Sequence, residues 1–181
     1  MCIRDRRLAE AARIGNVYVN RNMIGAVVGV QPFGGHGLSG TGPKAGGPLY
    51  VLRLLSRRPA VMPASGELAG PVGERNTYRQ RPKGTILCVA PDPAQLEAQR
   101  AAVKASGNEA TTDASDKRIA AALFAGSEAD LRSLNQRMAA RDGRIVPVHV
   151  APYPVEFLSD EISLSVNTAA AGGNASLMTI G

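Results

Sequence analysis

The chain has 181 residues, 44% hydrophobic and 20% charged, the balance of a globular protein of one domain or parts of two. No apolar run approaches the roughly 20 residues of a membrane span, no basic start leads into the apolar core of a signal peptide, and Cys2 and Cys88 have neither CxxC nor metal spacing. The formal charge of +6 is uneven, with 13 Lys/Arg against 4 Asp/Glu in residues 1–83 and 8 against 11 in residues 84–181. The basic part has no aromatic interleaving and no basic recognition helix, so its arginines are expected to face acidic surfaces of the same protein rather than nucleic acid. Without a disulfide framework, a reducing cytoplasm is the default setting.

The opening "MCIRDRRLAEAARIG" has partial helical spacing at Leu8, Ala11, Ala12 and Ile14, with Gly15 as a stop. "NVYVN" at 16–20 then has the β-branched and aromatic chemistry of a strand. No strand precedes it for pairing, so we expect the chain to start inside a longer protein, with "MCIRDR" a scar foreign to it. Residues 48–58 allow a short helix or a strand. Residues 59–84, rich in Pro, Gly and Ser, read as a linker or extended arm.

Regular pattern begins at "TILCVA" (85–90), a short apolar strand that should bury Cys88 as an unreactive thiol. A helix follows, with Asp92 as N-cap, Pro93 in its first turn and Gly107 near its stop. "GNEATTDASDK" reads as loop, "RIAAALFAG" as strand, and "SEADLRSLNQRMAARDG" as a helix with a capping-box-like Ser127 and Asp130, ended by Gly143. "RIVPVHVA" is the next strand. This order implies an α/β unit with parallel pairing. Three strands and two helices make a thin sheet that wants a larger partner. "EISLSVN" at 161–167 alternates as one more strand. The uncharged tail carries Leu177, Met178 and Ile180, which favour burial, so it reads as a strap on another surface.

Two nucleotide motifs overlap in "QPFGGHGLSGTGPKAGG" (31–47), and both fail on context. The G-x-G-x-x-G from Gly35 to Gly40 is preceded by Pro32-Phe33 and followed by Thr41-Gly42-Pro43, which will not open a helix, and no acid lies in 55–65. The P-loop version has Pro43 where lysine belongs, and Lys44 lacks a following Ser/Thr. The glycines instead read as a tight loop where backbone approaches something closely. His36 and His149, the only histidines, have no evident second metal ligand or nucleophile, and no Ser-His-Asp set is visible.

Residues 15–48, "GNVYVNRNMIGAVVGVQPFGGHGLSGTGPKAGGP", closely resemble the end of an aldehyde dehydrogenase. "VNRN" followed by "PFGGxGxSGTG" carries the superfamily resemblance. "GAVVGVQPFGG" and "GPKAGGPLY" narrow it to the glutamate semialdehyde dehydrogenase module of the bifunctional proline utilization A proteins. "GPVGERNTY", "MAARDGRIV" and the terminal "LSVNTAAAGGNASLMTIG" resemble the C-terminal part of their longer members. The resemblance covers nearly all of 15–181, with an apparently shortened stretch between 56 and 118.

The resemblance implies an α/β fold: residues 1–58 the end of the dehydrogenase domain, 59–84 a linker, 85–160 a small parallel α/β domain like an aldehyde dehydrogenase but without catalysis, and 161–181 a strand and strap. It implies a parent that oxidises proline with FAD and then glutamate semialdehyde with NAD, with an internal tunnel between the two sites. The catalytic cysteine, general-base glutamate, oxyanion asparagine and NAD-binding sheet of the family would lie upstream of Met1. No catalytic, cofactor-binding or metal-binding residue is therefore expected here, and neither NAD nor FAD should bind this segment alone. Gly25 and Ala26 match the family loop that anchors the aldehyde's α-carboxylate through backbone N–H groups, and Phe33 matches its pocket aromatic against the aliphatic stem. The tail would help close the tunnel. Implied partners are glutamate semialdehyde, the rest of the PutA chain and further copies of the parent, a cytoplasmic bacterial protein that can lie peripherally at the inner membrane, with no nucleic-acid contact from this segment.

Two readings follow. In one, the chain is the inactive end of the bifunctional enzyme. In the other it is a separate non-catalytic module that assembles with an aldehyde dehydrogenase. An open frame upstream of Met1 running into a catalytic-cysteine motif supports the first, and a genuine promoter and start codon there supports the second.

Overall fold

The computed structural model describes residues 7, 10–40, 42–55 and 65–168. Leu8 of the expected first helix and the tail beyond Thr168 lie outside these. Two compact units divide the chain, one from residues 1–35, 43–80 and 161–181, the other from 36–42 and 81–160.

The first unit is built on a four-stranded sheet. It contains β1 (Asn16–Val19), β2 (Gly66–Leu68), β3 (Glu74–Pro82) and, last in the chain, β8 (Ser159–Asn167), in the order β1-β8-β3-β2. β1 runs parallel to β8, with Asn16 opposite Ser163 and Val19 opposite Val166. This corrects the expectation that the first strand has no sheet to join. Its partner lies more than a hundred residues along the chain, and no local pattern announces such a pairing. Val17 and Val19 pack on buried Leu164 and Val166.

Of the linker or extended arm expected over 59–84, the described part, from residue 65, contains two paired strands rather than an unpaired connection. β2 pairs antiparallel with β3, with Glu67 opposite Thr77. The strand was hidden because its inward residues are polar. Asn76 and Tyr78 are fully buried, while Arg75 before them and Thr77 between them are half-buried. The alternation of a strand is present, written in polar residues that find partners. Residues 51–54, expected as short helix or strand, form a short 3₁₀ helix, Val51–Leu54.

The second unit matches the α/β expectation and adds a strand. β4 (Thr85–Val89), β5 (Glu109–Thr111), β6 (Ile119–Phe124) and β7 (Val148–Val150) form an all-parallel sheet in the order β5-β4-β6-β7. β5 lies where a loop was expected. It is three residues long and mostly exposed, so it carries no apolar signal. β7 is shorter than the expected 144–151, since Pro147 has no N–H to continue the ladder and serves only as an acceptor for Ala122 N–H at 2.9 Å.

α1 (Pro93–Ala105) and α2 (Glu128–Ala139) cover opposite faces of this sheet. Ile86, Cys88, Ala121 and Leu123 pack with Val103 and partly buried Leu96 of α1. Leu87, Ala122 and Phe124, pointing the other way, pack with Leu134 and Met138 of α2. The strands are apolar on both faces because both faces are covered. Right-handed crossovers demand this arrangement. From the central pair β4-β6, α1 leads outward to β5 and α2 leads outward to β7, so the helices fall on opposite sides.

The caps are those expected. The Asp92 carboxylate accepts from Gln95 N–H at 3.0 Å, and the Ser127 hydroxyl accepts from Asp130 N–H at 3.2 Å. α2 ends at Ala139 with Ala140 as its cap, before Gly143, whose positive φ of 98° serves the following turn instead. Cys88 is 3% exposed, and burial pushes its thiol upward in pKa, as expected for an unreactive cysteine. No helix among the described residues is long and apolar enough to cross a membrane.

Candidate functional site

The chain leaves β1 through Asn20, whose φ of 56° lies in the left-handed region that asparagine tolerates. A loop from Arg21 to Gln31 follows. Asn22 Oδ1 accepts from Ile24 N–H at 3.1 Å and turns the chain. Gly25 and Gly29 have φ of 80° and 76°, with open space where a Cβ would stand, so the backbone angle and not crowding requires glycine at both. Val27 C=O accepts from the N–H groups of Val30 and Gln31 at 3.0 and 2.8 Å, and Gly29 N–H donates to Gly46 C=O at 3.0 Å.

The N–H of Val27 is held by a side chain, donating to Gln31 Oε1 at 2.9 Å. Among the described residues, no hydrogen bond uses the N–H of Gly25 or Ala26. Both residues are exposed. Two consecutive open donors beside a positive-φ glycine have the character of an anion-binding nest.

Phe33, the third residue expected at the site, exchanges both backbone hydrogen bonds with Ala45, at 3.0 and 2.8 Å. Phe33 is 53% exposed. Met23, Ile24, Val27 and Val28 on the preceding loop are more than half exposed as well, an apolar surface without cover among the described residues.

Beneath these residues lies a polar core that the sequence did not announce. Lys44 is 2% exposed. Its ammonium donates to Asn16 Oδ1 at 2.7 Å and to the Gly34 carbonyl, and its backbone N–H donates to Glu161 Oε2 at 2.6 Å. Tyr78 Oη donates to Glu161 Oε1 at 2.8 Å. Burial and the Glu161 carboxylate beside it push the Tyr78 phenol far up in pKa, so it stays a donor. Asn16 closes the set, its Nδ2 donating to Pro32 C=O at 2.9 Å and its Oδ1 accepting from Gly34 N–H at 3.1 Å. The lysine that mimicked a P-loop is thus a structural clamp on the turn after Phe33.

A second polar cluster joins Arg21, Gln31, Glu74 and Ser165. Arg21 Nη1 lies 2.5 Å from Glu74 Oε2 and donates to Ser165 Oγ at 3.0 Å, and Ser165 Oγ donates to Glu74 Oε1 at 3.1 Å. Gln31 Nε2 donates to Glu74 Oε1 and, at 3.4 Å, to Asn76 Oδ1. Burial works against the Glu74 carboxylate, yet the Asn76 amide, the Ser165 hydroxyl, the Arg21 charge and Gln31 together hold its pKa below the ordinary carboxylate value. The basic first part of the chain therefore meets acid within its own unit at Arg21.

The glycine stretch gives no dinucleotide geometry. Gly37–Ser39 is a three-residue 3₁₀ turn, too short to aim a helix N-terminus at a phosphate. His36 does have an acid beside it, contrary to the sequence reading. Its Nδ1 lies 3.6 Å from Asp160 Oδ2, and Asp160 also meets Lys83 at 2.6 Å and Arg144 at 3.8 Å. No cluster of three metal-ligating side chains exists among the described residues. His149 packs against the Phe157 ring, with centroids 6.2 Å apart. Burial, with the Lys83 charge in a lesser part, pushes its pKa below the usual histidine value.

No family model matches the chain. It is 40% identical to the bifunctional protein PutA of Escherichia coli (strain K12) over 259 aligned positions, covering 97% of this chain and 20% of that protein. The PutA of Rhizobium meliloti is 37% identical, with 93% and 20% covered. The 1-pyrroline-5-carboxylate dehydrogenase of Bacillus subtilis is 54% identical over 46 residues, 25% of this chain. Among solved structures, the PutA of Corynebacterium freiburgense superposes with a TM-score of 0.67 at 22% identity, over 90% of this chain and 21% of that one, a likeness of fold. The chain spans about a fifth of the length of the curated relatives it matches. The alignment to the Escherichia coli protein is longer than the chain itself, so that protein has residues with no counterpart here.

Proposed function

We infer that this chain, which belongs to the PutA family by homology over 97% of its length, serves the aldehyde-oxidising half of a bifunctional proline-catabolic enzyme. The parent oxidises proline with FAD and then glutamate semialdehyde to glutamate with NAD. The segment contributes the loop that holds the substrate's α-carboxylate, together with a non-catalytic α/β domain. The residues that would bind FAD, NAD and the reacting carbon belong to other parts of the parent, so the segment alone should not turn over substrate.

One observation carries the reading. The N–H groups of Gly25 and Ala26 stand open as a consecutive pair between Ile24 and Val27, whose own N–H groups are both held by side chains. Backbone donors bind a carboxylate without an interfering side chain, and a left-handed residue such as Gly25 is one half of the backbone arrangement that forms an anion nest. The exposed ring of Phe33 suits a short aliphatic stem.

Amide chemical shifts of the isotopically labelled chain test this. L-glutamate and L-norvaline, which share the α-carboxylate, should shift the Gly25 and Ala26 amides, and n-butylamine should not. Equal response to n-butylamine, or none to the two amino acids, would overturn the anchor. Oxidation of glutamate semialdehyde with NAD by the chain alone would overturn its assignment as a supporting segment.

A further inference from the structure

We propose that Gln31 is a positioning residue that fixes the carboxylate-binding loop from the side of β3, so that Glu74 and Asn76 set the shape of a site they do not touch. The inference rests on the reading of Gly25 and Ala26 as the anchor.

Gln31 is 3% exposed, and both ends of its amide are used. Its carbonyl oxygen accepts from Val27 N–H at 2.9 Å. Its nitrogen donates to Glu74 and Asn76, on a strand 43 residues further along the chain. Glu74 is fixed in turn by Arg21 at 2.5 Å and by Ser165 at 3.1 Å. Arg21 opens the loop and Gln31 closes it. A single carboxylate therefore holds both ends of the segment that contains Gly25 and Ala26.

The consequence is geometric. Engaging Val27 N–H removes it as a competing donor next to Ala26 and pins the residue whose carbonyl takes two further hydrogen bonds. On the N-terminal side of Val27 this leaves Gly25 and Ala26 as an adjacent pair of open donors. Losing the Gln31 carbonyl frees Val27 N–H and lets Gly25, which can adopt either sign of φ, leave the nest conformation.

Hydrogen exchange of the full chain reads this directly. Gln31→Met keeps the volume and deletes both hydrogen bonds. We expect Val27 amide protection to fall about tenfold, the equivalent of one net hydrogen bond, while β4 and β6 amides keep theirs. Glu74→Gln should loosen the same amide, because the neutral acceptor that remains for Gln31 is weaker and no longer pairs with the Arg21 charge. The exchanged pair Gln31→Glu with Glu74→Gln keeps an acceptor for Val27 and lets the new amide at position 74 donate to the new carboxylate at position 31, so the link is remade with its direction reversed. It should recover protection relative to Glu74→Gln alone, which a merely space-filling Gln31 would not do. Unchanged Val27 protection in Gln31→Met, or no recovery in the exchanged pair, would overturn the proposal. If the variants loosen the loop but L-glutamate shifts no loop amide even in the unaltered chain, the positioning stands and the anchor reading falls.

Discussion

Gly15 shows how much of the site depends on backbone approach. A Cβ placed there would stand 2.3 Å from the Gly34 carbonyl oxygen and 2.7 Å from Lys44 Nζ. The lysine could swing, but the carbonyl belongs to the turn that carries Phe33 and cannot. Gly15→Ala should therefore destabilise the first unit by about 3 kcal/mol, at the upper end for an overpacked site. Denaturant unfolding measures it, and a cost within the ordinary surface range of about 0.5 kcal/mol would contradict the contact. Gly25 differs, since its Cβ would meet open space. Gly25→Ala should cost only the left-handed backbone penalty of about 1–2 kcal/mol, and its effect should fall on ligand binding.

Among the elements, β3 makes a buried polar strand work. Tyr78 is fully buried, and its hydroxyl is the donor to Glu161 Oε1. Tyr78→Phe keeps the ring and leaves a carboxylate oxygen with one partner fewer. That should cost about 1.5–3 kcal/mol, the range for a hydrogen bond to a charged group. The same strand explains what could be read beforehand. β4, β6, α1 and α2 were legible because apolar periodicity and caps such as Asp92 and Ser127 are local properties of the chain. β3 was not, because Asn76 and Tyr78 count as inward residues only once Gln31 and Glu161 are known to face them. β5 was too short to carry a period. At the site, Gly25, Ala26 and Phe33 were nameable through resemblance. Gln31, Lys44 and Glu74 were not, since each acts through a partner remote in sequence and only the fold supplies the distance.

Across the whole molecule, the two units should lose stability to acid in separate pH windows. In the second unit, His149 has its folded pKa pushed below the reference value of 6.5 by burial and by Lys83. Below 6.5 the unfolded chain takes up this proton and the folded one does not, so stability falls as pH drops from there toward the folded value. In the first unit, Glu74 has its folded pKa held below the reference value of 4.5. Its contribution is intact above 4.5 and is lost as pH falls through the folded value. Amide protection factors should therefore fall in β4 and β6 as pH drops below about 6.5, while those in β1 and β8 respond to Glu74 only below about pH 4.5. His149→Gln should flatten the first response and leave the second, and Glu74→Gln should do the reverse. If the His149→Gln chain loses β6 protection over the upper window as steeply as the unaltered chain, the histidine is not the group that sets it.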